Sequence, residues 1–108
     1  MALEKKFKIL IYPGLHTRPG AKFVELCNKF DSDIEILFND KVANGKSITN
    51  IMTMAVPQNA EITVKVNGND EDILIEELTE WHVEAHKSKE DFVTFPDKHE
   101  LLKAFEII

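Results

Sequence analysis

Apolar residues recur along this chain at two spacings. Lys6 to Ile11 sets Lys6 and Lys8 against Phe7, Ile9 and Ile11, the period of a strand with one solvated face. Between Thr17 and about Phe30 the positions Gly20, Phe23, Val24, Cys27 and Phe30 fall at helical spacing, with Lys22, Glu25 and Lys29 between them. That pattern predicts an amphipathic helix lying on a sheet. Ile34, Ile36 and Phe38 alternate again, Asn39-Asp40 supplies turn chemistry, and Lys41-Val42-Ala43 returns as the second strand of a hairpin. Asn44-Gly45-Lys46 breaks the pattern, Ser47 is a natural N-cap, and Ile48, Ile51, Met52 and Ala55 predict a short helix that Pro57-Gln58-Asn59 ends. Ile62 to Val66 is the clearest strand, rich in β-branched residues. After Asn67-Gly68, either Asn69 or Asp70 caps a helix with Glu71 and Asp72 in its first turn and Leu74, Leu78 and Trp81 on its apolar face. The order is βα, ββα, βα.

The composition changes only after Lys87, which divides the chain into a domain over residues 1–87 and a C-terminal extension over 88–108 that is not a separate domain. In the extension, Ser88-Lys89-Glu90-Asp91 suggests a solvated linker and Asp91 to Phe95 one more strand. Pro96-Asp97 followed by Leu101, Leu102, Phe105 and Ile108 suggests an amphipathic helix. Phe92, Val93, Phe95, Leu101, Leu102, Phe105, Ile107 and Ile108 are too apolar for a segment left in water, so the extension is expected to be ordered and docked. The solvated face of the sheet is the expected dock, since it leaves the His16 corner open.

Composition narrows the class. At 108 residues, 44% hydrophobic and 30% charged, the chain is expected to be one globular domain with its own core. No apolar run approaches the roughly 20 residues that span a bilayer, and Met1 to Lys6 lacks a signal-like apolar region, so no membrane insertion and a cytoplasmic location are expected. Cys27 is alone and sits in an apolar stripe, which makes it a core residue rather than a nucleophile. A net charge of −6 with no basic run argues against direct nucleic-acid binding.

Chemistry concentrates in Gly14-Leu15-His16-Thr17-Arg18-Pro19, where an extended segment turns into a helix. Pro19 suits the first helical turn, which needs no amide donor there. His16 therefore stands at a helix N-terminus, where unpaired backbone N–H groups and the positive end of the helix dipole favour an anion such as phosphate; Arg18 adds a cationic fork. A neutral imidazole nitrogen can take up a phosphoryl group and forward it to a second acceptor, needing from the protein only positioning and charge neutralisation. For a single histidine near a helix start, a plain polar cap is the commoner reading, and these six residues alone do not decide between the two.

The corner, followed after a helix and a hairpin by Asn44-Gly45-Lys46-Ser47-Ile48, and then by Asn67-Gly68-Asn69-Asp70-Glu71 leading into the last helix, resembles the HPr family. These are the histidine-containing phosphocarriers of the phosphoenolpyruvate-dependent sugar phosphotransferase system, and the resemblance spans about Lys5 to Ala85. It implies an α+β open-faced β-sandwich, a four-stranded antiparallel sheet with three helices on one face, here with an extra strand and helix at the C-terminus. It implies phosphorylation of His16 on Nδ1 by phosphorylated enzyme I, transfer to the IIA domain of a sugar transporter, and pairing of Arg18 with the phosphoryl oxygens. Such a protein is a phosphoryl-transfer intermediate rather than a self-sufficient enzyme, and no cofactor is implied. Ser47 matches a serine that an HPr kinase/phosphorylase modifies in many members, with a carbon-regulation transcription factor as a further partner. Ser47 is also explained as a helix cap alone. Leu15, Thr17, Gly20, Ile48 and Met52 match the partner-binding surface, while Met54 is assigned to the core. Thr49 stands where an apolar residue is usual, Gly20 where alanine is, and Asn28 and Asn50 where basic residues are frequent, which makes the docking face less basic than typical.

Two alternatives belong to other classes. One is an HPr-like regulatory module acting through Ser47 and protein binding, disfavoured by the presence of both His16 and Arg18. The other is a metal-binding domain, since His82 and His86 would lie one helical turn apart with Glu84 between them and His99 later; without a convincing third ligand, no metal is assigned.

Overall fold

The clearest strand of the sequence is the centre of the sheet. In a computed structural model describing residues 2–108, β1 spans Ala2–Ile9, β2 Asp33–Phe38, β3 Lys41–Asn44 and β4 Glu61–Asn67. β4 pairs antiparallel with β1 on one side and β2 on the other, and β2 pairs with β3. The registers Phe7 to Ile62, Ile36 to Val64 and Ile34 to Val66 put the alternating apolar residues on one face, where all six are buried. On the opposite face Lys65 Nζ lies 3.7 Å from Glu4 Oε1 in an exposed pair. Asn39 and Asp40 take φ of 48° and 64°, as a tight two-residue hairpin turn requires.

Three helices cover the apolar face. α1 (Thr17–Cys27) buries Pro19, Gly20, Phe23, Val24 and Cys27; α2 (Ile48–Met54) buries Ile51 and Met54; α3 (Glu71–Thr79) buries Leu74, Ile75 and Leu78. Burial pushes the Cys27 thiol up to about 12, with the positive charge of Lys46 only partly opposing it, so this cysteine is a core residue. Asp70 stands at the start of α3 but does not cap it. Its carboxylate accepts from the Ser32 hydroxyl, from Ser32 N–H at 2.9 Å and from Asp31 N–H at 2.9 Å, tying α3 to the turn before β2. The Ser32 hydroxyl bond and then that of Asp31 hold the carboxyl below its usual range.

The last third departs from the expectation. α3 stops at Thr79, and the chain becomes β5 (His82–Ala85), with Val83 and Ala85 inward and His82 and Glu84 outward. Trp81 is thus not on the helix face; its ring packs 5.9 Å from Phe23 and 5.3 Å from Phe105 between centroids. The extension holds a helix and strands in the reverse of the expected order. Ser88, expected in a linker, is an N-cap whose hydroxyl accepts from Asp91 N–H at 3.1 Å, and it starts α4 (Lys89–Thr94). Where a helix was expected beyond Pro96, β6 (Glu100–Lys103) pairs with β5, and β7 (Phe105–Ile107) pairs with β1 as the fifth strand of the main sheet. The edges of β1 and β5 offer rows of unpaired backbone groups to a strand, whereas an isolated helix of so few residues is marginal.

The extension consequently docks along the β1 edge rather than on the solvated face. Phe105 is fully buried, 5.3 Å from Phe7, and Ala104 is buried beside it. Leu102 is half-buried, but Phe92, Val93, Phe95, Leu101, Ile107 and Ile108 are exposed, so fewer than half of the eight are covered. No helix among the described residues is long and apolar enough to cross a membrane.

Candidate functional site

The corner before α1 is shaped by Gly14. Its φ of +106° lies where side chains are strained, and a Cβ there would sit 2.2 Å from the Val56 carbonyl oxygen. The close approach lets Leu15 N–H donate to that oxygen at 2.9 Å, which stitches the corner to the segment after α2. Extended backbone then turns successive side chains to opposite sides: Leu15 goes inward and is fully buried, and His16 goes outward and is half-buried. His16 is the N-cap residue of α1 by backbone, with φ −121° and ψ 161°, and its carbonyl accepts from Gly20 N–H at 3.1 Å. Its ring makes no capping hydrogen bond, so the imidazole is not committed to the helix. Thr17 begins α1 with φ 41°, an unfavourable region for a β-branched residue. Arg18 and Thr17 are exposed.

Two residues expected on the partner surface are core instead. Leu15 cannot present its side chain to a partner. Gly20 is buried beneath α2, where an added Cβ would meet Met52 Cε at 2.9 Å; the Met52 thioether occupies the space an alanine would fill. Ile48 is 44% exposed and Met52 half-buried, one turn apart on α2. Ser47, half-buried, caps α2 by accepting from Asn50 N–H at 3.2 Å. The two asparagines have structural partners. Asn28 donates to the carbonyls of Val24 at 2.9 Å and Lys46 at 3.1 Å, and Asn50 Oδ1 accepts from Asn44 N–H at 3.1 Å. Both fix the loop that carries Ser47.

His16 lies in a groove of about 340 Å³ shared with Arg18, Glu84, His86, Phe92 and His99. Arg18 Nη1 is 3.5 Å from Glu84 Oε2, an exposed pair that solvent weakens, so the guanidinium is loosely held and free to turn to another anion. Glu84, His86, Phe92 and His99 lie 68 to 83 residues from His16 in sequence, and no local pattern marks them as its neighbours. The metal alternative loses its geometry. On a strand, four residues span about 13 Å, so His82 and His86 are not adjacent. His82 Nδ1 is 2.8 Å from the Glu80 carbonyl oxygen, and His86 Nε2 is 3.2 Å from that of Phe95. Among the described residues no group of three or more His, Cys, Asp or Glu could hold a metal ion.

An uncommitted imidazole at a helix N-terminus, beside a loosely held arginine, is suited to carrying a dianionic group. Residues 3–83 match a family model described as the PTS HPr component phosphorylation site. The chain is 40% identical over 78 residues to the phosphocarrier protein HPr of Buchnera aphidicola subsp. Baizongia pistaciae, covering 72% of this chain and 92% of that one. It is 42% identical over 76 residues to that of Buchnera aphidicola subsp. Acyrthosiphon pisum, covering 70% and 89%. A crystal structure of HPr from Bacillus anthracis str. Ames superposes with a TM-score of 0.68 at 35% identity, over 69% of this chain and 89% of that one. The α+β fold is shared with that structure, and the chain belongs to the HPr family of phosphotransferase-system phosphocarriers.

Proposed function

We propose that His16 is the phosphoryl acceptor, charged by phosphorylated enzyme I and discharged to the IIA domain of a sugar transporter. The observation that carries this is the half-buried His16 ring, free of capping bonds at the start of α1 and sharing a groove with Arg18. In the forward step the Nδ1 lone pair attacks phosphorus, the P–N bond forms, and the bond from phosphorus to the donor's leaving group breaks with its electron pair. Arg18 exchanges Glu84 for the phosphoryl oxygens, a stronger partner in a site shielded by the donor. The second transfer is the same displacement with the IIA domain as nucleophile.

The test is intact-mass measurement after incubation with enzyme I and phosphoenolpyruvate, followed by acid treatment, which removes phosphohistidine and spares phosphoserine. His16→Ala is expected to abolish the label with no change of fold, since its ring makes no capping bond. Label retained in that variant would move the chemistry elsewhere.

A second reading, regulation through Ser47 by an HPr kinase/phosphorylase with a carbon-regulation transcription factor downstream, is favoured by one observation. Ser47 is accessible enough to be modified and directly precedes the exposed Ile48. A phosphate there adds about two negative charges at a helix start, which the helix tolerates, while a docking partner's acidic surface would not. Ser47→Asp is expected to fold normally and accept phosphate from enzyme I more slowly. An unchanged rate would remove the switch.

A further inference from the structure

One wall of the His16 groove lies beyond the family match, which ends at residue 83. Phe92 of α4 and His99 before β6 face the groove together with His86 of the segment after β5. Phe92 is 42% exposed, yet its ring is held. Its centroid lies 5.7 Å from that of Tyr12 and 5.2 Å from that of His86, edge-on. His86 is itself fixed: 3% exposed, it bonds through Nε2 to the Phe95 carbonyl at 3.2 Å and lies 4.8 Å from the His99 ring. An aromatic ring pinned on one side and wet on the other has little freedom left to lose on association, which is the character of an interface anchor.

Position in the groove says what it anchors. His16 lines the same groove of about 340 Å³ as Phe92, so a protein that brings a phosphoryl group to His16 comes down beside Phe92. We propose that Phe92 is a specificity-determining contact for the phosphoryl donor, enzyme I, meeting an apolar patch beside the donor's phosphorylated residue. The proposal rests on His16 being the acceptor. It gives the extension a role in choosing the partner, which residues 3–83, those matched by the family model, do not supply.

The experiment is steady-state phosphorylation of the full chain by enzyme I from the same organism with phosphoenolpyruvate, varying the acceptor concentration. Phe92→Ala is expected to raise KM about tenfold and to leave kcat within about twofold, with a cooperative melt showing that the variant is folded. Unchanged KM in the folded variant overturns the proposal, as does a loss confined to kcat. Independently of any variant, hydrogen exchange of the wild-type chain mixed with enzyme I is expected to show added protection across Lys89–Thr94, and none there overturns it. Persistence of the label in His16→Ala would strike the underlying function instead, so the two failures are distinguishable.

Discussion

Between Phe7 and Leu78 the large apolar residues at strand or helix spacing lie mostly in one core, whereas of the eight after Lys87 only Phe105 is fully covered and Leu102 partly. Both regions are ordered, but by different means. The first buries the faces of its own elements against one another. The second is attached by backbone pairing to two strand edges and by one aromatic plug, Phe105, set among Phe7, Phe23 and Trp81. Six exposed apolar side chains on an ordered segment are then surface rather than misplaced core.

The sharpest way to break that comparison is Phe105→Ala. A fully buried phenylalanine truncated to alanine costs about 3–5 kcal/mol, through lost transfer energy and the cavity left behind. Urea unfolding is expected to show that loss, along with faster hydrogen exchange in β6 and β7. A loss below about 1 kcal/mol would mean that the plug does not anchor the extension.

Acid separates the polar fastening of α3 from the apolar fastening of the extension. Asp70 has its carboxyl held low by the Ser32 hydroxyl and then by Asp31 N–H, so the folded state favours the carboxylate more than the unfolded state does. That contribution is fully present above about pH 4 and is lost as the pH falls through the folded value. Asp70→Asn is therefore expected to lower stability at neutral pH and to flatten the acid limb of a stability–pH curve. Phe105→Ala should lower the whole curve without changing its shape. An acid limb unaltered in Asp70→Asn would assign acid sensitivity to other carboxylates.

These contrasts also explain how much could be read from the sequence. The hairpin at Asn39-Asp40, the Ser47 cap, the β4 strand and the His16 corner each carry their signal within a few residues. The buried state of Leu15 was available too, since alternation along extended chain that points His16 outward points Leu15 inward. β5 is only four residues long and follows a helix whose apolar spacing runs on to Trp81, so its alternation is easily absorbed into that helix. The strands of the extension lacked a local marker because they depend on two edges formed elsewhere in the chain. The groove's second wall is a product of tertiary packing alone.

The smallest effect is expected at Leu101, and it tests whether the exposed apolar residues are surface. Leu101 is 67% exposed on β6, opposite Glu84 in the register, so its backbone pairing serves the sheet while its side chain gives little burial. Leu101→Ser keeps that pairing and a residue acceptable in a strand, and stability should change by no more than about 0.5 kcal/mol. Its neighbour Leu102, half-buried against the core and opposite Val83, provides the internal control: Leu102→Ser should cost clearly more. Equal losses at the two positions, read from urea midpoints, would show that Leu101 is covered in solution, and the distinction between a packed domain and a backbone-tethered apolar surface would then fail at this strand.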